Sequence, residues 1–171
     1  TDRYGEMAVS IHWLSAVLIL VLIATGFRAA DTIDPAAKAQ LLRIHVPIAI
    51  VVLLLTLLRI VWWLAIDLKP HPVAGSPLWQ ERSAKTVHLL FYVVILGMIA
   101  SGIGMMVLSG AGSIIFGQGG VLPDFVKFAP RVPHGIGARL LIALLVLHVG
   151  AALYHHFFLR DGLLKRMWFG K

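Results

Sequence analysis

The sequence predicts an all-α integral membrane protein, a four-helix bundle that takes up nearly the whole chain. Three observations predict it. Of its 171 residues 59% are apolar and only 13% charged, whereas a soluble domain is about half apolar and about a quarter charged; no water-soluble surface can be made from this composition. The apolar residues are not spread at amphipathic spacing but gathered into four blocks of about twenty, the length that crosses a hydrocarbon core of roughly 30 Å as helix. Trp13, Trp62, Trp63 and Trp168 stand at block ends, where aromatic belts form at the two membrane surfaces.

The first block is expected over about residues 8–27, and Arg28, Asp31, Asp34 and Pro35 close it. It is full length, carries a histidine and is followed by no small-residue cleavage motif, so it reads as a membrane helix and not as a cleavable signal peptide. The second is expected over about 44–66, followed by a loop from Asp67 to Ser83 rich in turn residues and charge. The third covers about 85–108 and contains Gly97, Gly102 and Gly104, small residues that let a helix or a flat cofactor come close. The fourth begins near Pro133, a suitable first-turn residue, and runs to about Leu159, giving helices over 8–27, 44–66, 85–108 and 133–159 of a single domain, 1–171. Between the last two, the glycine-rich stretch from Ser109 to Val132 is too short and interrupted to span, and reads as a cap over one face.

The formal net charge is +7. Its Lys and Arg residues sit in loops beside apolar blocks and form no basic stripe, which excludes a nucleic-acid partner. With the N-terminus inside, Arg3, Arg59, Lys69, Arg82, Lys85, Arg160, Lys165, Arg166 and Lys171 are cytoplasmic, and Arg28, Lys38, Arg43, Lys127 and Arg131 lie outside. Nine against five places both termini in the cytoplasm by the positive-inside rule. The chain has no cysteine, which excludes disulfides, iron–sulfur clusters and thiolate ligation. A redox cofactor must then be held by His or Met.

Histidine inside a membrane segment is costly and points to function. His12 lies a turn into the first helix at the inner level; His45 opens the second and His134 the fourth, both at the outer level. His148 follows His134 by fourteen residues, which leaves the two about 40° apart on one face and displaced by ~21 Å along the axis. The depths pair His45 with His134 and His148 with His12, the geometry of two six-coordinate haems suited to electron transfer, and a bundle core is where such cofactors fit. His88, expected in the first turn of the third helix, competes with His12 as the partner of His148. Arg59, fourteen residues after His45, either meets the inner propionates or snorkels to the interface; Arg43 can serve the outer propionates. His155, seven residues beyond His148, either bonds a propionate, delivers protons to a quinone or faces water. His71 and His156 read as loop or interfacial residues.

The stretches RYGEMAVSIHWLSA, IHVPIAIVVLLLTLLRIVWW, TVHLLFYVVILGMIASG and LHVGAALYHHFFLRDGLLKRM resemble the bacterial cytochrome b561 family, related to the cytochrome b subunits of nickel–iron hydrogenases and formate dehydrogenases. The likeness covers essentially the whole chain. It implies two non-covalent b haems, with His12 and His148 as axial iron ligands of one and His45 and His134 of the other, and so prefers His12 to His88. It also implies electron entry on the periplasmic side and delivery to quinone, and one member is described as a superoxide:ubiquinone oxidoreductase.

The expected function is therefore an electron-transport cytochrome of the bacterial inner membrane, moving single electrons between a periplasmic donor and the pool of ubiquinone or another quinone. The donor is superoxide or a redox protein, and the alternative is an electron-carrying membrane anchor of a larger periplasmic complex. No catalytic acid, base or nucleophile is assigned. His155 and His88 are the candidate quinone or proton path, and Lys127 and Arg131, just before His134, the candidate anion-steering charges. The orientation predicts that cysteines introduced at Lys171 and Gly119 react with a membrane-impermeant thiol reagent in opposite ways. Gly119 labels from the periplasm and Lys171 does not; the reverse pattern inverts the topology.

Overall fold

Each long helix starts and stops where capping chemistry allows, and this sets how deep its side chains sit. The computed structural model describes residues 3–66 and 75–169, and has no strand among the described residues. Helix α1 spans Glu6–Asp31, with Glu6 in its first turn and Arg28 in its last, each charge favourable against the helix dipole. Thr32 closes it, its N–H donating to the Arg28 carbonyl at 3.0 Å.

Helix α2 spans Pro35–Ala65 and begins nine residues before the expected position 44. The Asp34 carboxylate accepts from the Ala36 and Ala37 N–H groups at 3.4 and 3.0 Å, and Pro35 fills the first helical position, a strong start signal. Hydropathy marks only the part of a helix that lies in hydrocarbon, and the segment from Pro35 to Arg43 is helical but more polar. His45 therefore does not open α2; it lies three turns in. The same correction applies to α3, Leu78–Ser109, which starts seven residues before 85, directly after Pro77. His88 sits in its third turn, not its first, and the loop expected to reach Ser83 ends at Pro77. Lys69 and His71 of that loop lie outside the described residues. Gly110, with φ 66°, ends α3 in the left-handed conformation, a common stop that glycine adopts without strain. Helix α4 spans Arg131–Tyr154, with Pro133 in its first turn as expected, and continues as a π turn over His155–Leu159.

These four helices are each long and apolar enough to cross a membrane. Leu20, Leu54, Val93 and Val146 are more than half exposed, which is how a lipid-facing surface looks without its lipid. α1 packs chiefly on α2, and α3 on α4, while the two pairs meet each other far more sparsely. The core crosses that seam as one apolar layer of Ile19, Val52, Ile95 and Leu141, one from each helix.

Both ends of the bundle are closed. At one, Ala111 and Ile115 are fully buried and the Ile115 carbonyl accepts from Arg43 Nε, so the stretch between α3 and α4 is the cap that was expected. At the other, the chain after α4 folds back over the start of α1. Arg160 turns it with φ 52°, His155 Nδ1 meets the Asp161 carboxylate at 2.5 Å, and Trp13 Nε1 donates to the Met167 carbonyl at 2.7 Å. Trp168 packs edge-on against Trp13, centroids 5.4 Å apart.

Partial burial works to raise the Asp161 carboxyl, but the hydrogen bonds from His155 and from the Leu163 N–H outweigh it and hold the group below its usual range. A depressed carboxyl stabilises the fold above its unfolded pKa and loses that contribution as pH falls through the folded value. Docking of this strap, followed by Trp fluorescence, should be constant from neutral pH down to the ordinary Asp range near about 3.9 and weaken only below it. Asp161→Asn should loosen the strap at neutral pH and flatten that acid transition.

Candidate cofactor-binding site

A seven-residue step carries every helix from one level of the bundle to the next, because seven residues make nearly two turns and return to the same face. Stepping seven either way from the core layer reaches His12 and Gly26 on α1, His45 and Arg59 on α2, His88 and Gly102 on α3, and His134 and His148 on α4. The cap-side level thus holds two histidines and two glycines. The level near the termini holds three histidines and an arginine.

At the cap side His45 and His134 face each other across the seam between the helix pairs, ring centroids 6.4 Å apart. His45 Nδ1 lies 3.0 Å from Thr25 Oγ1, whose own hydroxyl donates to the Val21 carbonyl at 2.8 Å; the Leu22 carbonyl is a second partner of the ring. His134 Nδ1 lies 2.9 Å from the Met98 carbonyl and 3.1 Å from Ser101 Oγ. Ser101 in turn donates to the Met98 carbonyl at 2.9 Å. Each hydroxyl has spent its hydrogen on a carbonyl, so it can only accept from the ring, and a carbonyl only accepts. Both imidazoles are therefore held as the Nδ1–H tautomer, with the Nε2 lone pair free to bind a metal. The glycines make room: a Cβ on Gly26 would stand 3.1 Å from His45 Cε1, and one on Gly102 3.4 Å from His134 Cε1.

Near the termini His12 and His148 face each other at 6.1 Å. His88 is nearer still to His148, at 5.4 Å and almost perpendicular, with its Nδ1 bonded to the Ala84 carbonyl at 2.7 Å. Phe91 lies 5.5 Å from His148 on the same helix as His88. Arg59 Nη1 contacts His12 Nδ1 at 3.0 Å, so Arg59 is turned into the bundle and not out to the interface.

These distances can be compared with what an axial pair needs. A ligating imidazole nitrogen stands about 2 Å from its metal, so two rings facing each other across one iron have centroids roughly 6.3 Å apart. The 6.4 and 6.1 Å pairs match this, whereas 5.4 Å between His88 and His148 is too close. Among the described residues no group of three or more His, Asp or Glu side chains is placed to hold a bare metal ion. Two facing ligands suit a metal that brings its own equatorial donors, as iron in a macrocycle does.

The remaining expected residues fall as follows. Arg43 gives its Nε to the cap, at the Ile115 carbonyl. Lys127 ends a 3₁₀ turn, Phe125–Lys127, whose start Asp124 caps at the Val126 N–H, 3.2 Å, and its side chain is exposed. Arg131 opens α4 and lies over Gly135, where a Cβ would stand 2.9 Å from its Nη1. His155 does not reach toward His148; it is held by Asp161 in the strap. Thr25, Ser101, Gly26 and Asp161 were not singled out from sequence. A hydroxyl within an apolar block, one turn from a small residue, was the available signal for the first two.

The sequence profile of prokaryotic cytochrome b561 matches residues 3–170 of this chain. The protein belongs to the prokaryotic cytochrome b561 family. It is 25% identical to cytochrome b561 homolog 1 of Escherichia coli over 97% of both chains. It is 28% identical to the probable superoxide oxidase CybB of Yersinia pestis, over 96% of this chain and 95% of that one, and 27% identical to cytochrome b562 of Cereibacter sphaeroides, over 96% and 94%. As a cytochrome b561 family member it is a membrane b-type cytochrome, and the donor set of neutral imidazoles fits b haem.

The tight packing of the glycines on the histidine rings yields a prediction. His45 is held by Thr25 and the Leu22 carbonyl and cannot easily move, so a side chain on α1 at this level must displace it, at a cost of about 1–3 kcal/mol for overpacking. Gly26→Val should lower the haem bound per chain; Gly102→Ala, at an ordinary van der Waals distance, should lower it little. Haem extracted per chain from the purified variants measures both.

Proposed function

We propose that this protein holds two b haems, one between His45 and His134 and one between His12 and His148, and carries single electrons between a periplasmic donor and the quinone pool. The observation that supports it most strongly is the pair of facing histidines at each of two levels, 6.4 and 6.1 Å apart, with an apolar layer between them. Haem held between these histidines would supply a one-electron couple, and a ring on each side of it would favour electron transfer over oxygen binding.

The chain's residues contribute orientation and insulation. Thr25, Ser101 and the Leu22 and Met98 carbonyls fix the tautomer of the cap-side ligands. Ile19, Val52, Ile95 and Leu141 keep water and ions from the middle of the bundle. Separation of the rings favours His12 over His88 as the partner of His148, and leaves His88, bonded to Ala84, beside the terminal-side level as a group that can accept or pass a proton. His155 has Asp161 as its own partner, so that the pair, and not His155 alone, is the proton-handling candidate at this surface.

The positive-inside count makes the cap face periplasmic. Arg28, Lys38, Arg43, Lys127 and Arg131 stand at that end against Asp31, Asp34 and Asp124, and a net positive rim draws a small anion toward it. Similarity to a protein named as a probable superoxide oxidase supports superoxide as that anion.

Two measurements test this. A reduced-minus-oxidised spectrum with haem counted per chain should give two for the native protein and one each for His45→Ala, His134→Ala, His12→Ala and His148→Ala; two haems in His148→Ala, or loss of one in His88→Ala but not in His12→Ala, overturns the pairing. Stopped-flow reduction by superoxide should slow with ionic strength and slow further, about tenfold, in Lys127→Glu or Arg131→Glu, with electrons then appearing on ubiquinone. A slow rate indifferent to salt and to both reversals assigns a different donor, and a redox partner that co-purifies points to the membrane-anchor role.

A further inference from the structure

The two histidine levels are wired to opposite electrical surroundings. At the cap side both ligand rings donate their Nδ1 hydrogen, His45 toward Thr25 and Leu22 and His134 toward Met98 and Ser101. Acceptors at Nδ1 make an imidazole a better electron donor to whatever its Nε2 binds, which favours the oxidised, more positive state of a metal. On the terminal side the group at His12 Nδ1 is the Arg59 guanidinium, at 3.0 Å. A guanidinium has donors only and is always charged. When His12 ligates through Nε2 its proton sits on Nδ1, so Arg59 gives up that hydrogen bond but its charge stays beside the ring. The other titratable groups packed here are His88 and His148, which bring no negative charge. Thr56, buried three residues before Arg59, spends its hydroxyl on the Val52 carbonyl at 2.7 Å. Arg59 therefore faces this level with no protein carboxylate against it among the contacts described.

We propose that Arg59 is a positioning residue that sets the direction of electron flow, by making the His12–His148 level the higher-potential of the two haem sites. This rests on the dihaem reading above. Iron held by His12 carries one more positive charge when oxidised than when reduced. A fixed cation in direct contact with the ligand ring opposes the oxidised form; at the other level Arg131 acts on His134 through space only, and the groups bonded to the two rings at Nδ1 are neutral acceptors. The electron given up at the His45–His134 level is the one taken up at the His12–His148 level, so the balance needs no further oxidant or reductant. A unit charge held within a bundle of low dielectric is worth roughly tenfold in that distribution.

Equilibrium redox titration followed by haem absorbance tests it, with His12→Ala reporting the cap-side haem alone and His45→Ala the terminal-side haem alone. In the native protein the step that matches His45→Ala should come at the higher potential. Arg59→Gln should lower that step by about tenfold in the electron's distribution, about 59 mV for one electron, leave the cap-side step in place, and be largely rescued in Arg59→Lys, which keeps the charge. A structural role alone would change haem content and not separate Gln from Lys. A terminal-side step at or below the cap-side one in the native protein, or one unmoved in Arg59→Gln, overturns the proposal. Should Arg59→Gln shed its terminal-side haem, the order of the two native steps decides alone. A native chain with fewer than two haems fails the dihaem reading instead, visible in the haem count before any titration.

Discussion

An imidazole placed inside hydrocarbon must find partners for both of its nitrogens, since water is not there to supply them. That requirement organises this bundle. His45 and His134 each satisfy Nδ1 from their neighbours, through Thr25 on α1 and through Met98 and Ser101 on α3. The partners come from the helix against which each histidine's own helix packs most closely, so every tight helix pair contributes one imidazole with its Nδ1 satisfied. The two rings face each other across the seam, where the pairs meet sparsely, with centroids 6.4 Å apart. Tight pairs on a loose seam are the arrangement a flat cofactor needs.

The seven-residue register converts this local chemistry into a two-level device. Because the same face of each helix carries a polar or glycine position, an apolar one and a polar position in turn, the bundle has two histidine-bearing layers with Ile19, Val52, Ile95 and Leu141 between them. On α1 and α3 the cap-side positions are Gly26 and Gly102, which let the histidine rings lie against backbone. On α2 and α3 the corresponding terminal-side positions are Arg59 and His88. At one level both rings are bonded to neutral acceptors and lie against glycine; at the other a guanidinium touches His12 and a third imidazole stands beside His148.

The ends are closed by different means. The cap is held by apolar burial at Ala111 and Ile115 and by Arg43 on a backbone carbonyl. The strap is held by polar contacts, His155 with Asp161 and Trp13 with Met167. The strap lies beside the His12 level, since Trp13 adjoins His12 and packs on Trp168. The strap's hydrogen bonds hold the Asp161 carboxyl below its usual range.

Membrane insertion, helix number, the cap and the pairing by depth of four histidines were legible in the sequence, because hydropathy and a fourteen-residue spacing are properties of single helices. Family resemblance was legible for the same reason, in motifs such as IHW and LYHHFF that are contiguous. Helix starts at Pro35 and Leu78 were not read from hydropathy, although Asp34–Pro35 and Pro77 carried the signal: a helix in a membrane protein begins where its backbone is capped, often outside the hydrocarbon. What only the tertiary structure decided is the partner of each Nδ1. Thr25 to His45, Ser101 to His134, Arg59 to His12 and Asp161 to His155 are contacts between side chains on different elements or across a reversal of the chain. Their distances depend on how helices rotate and slide against one another, which the packing of the whole bundle sets and no periodicity within a single helix encodes.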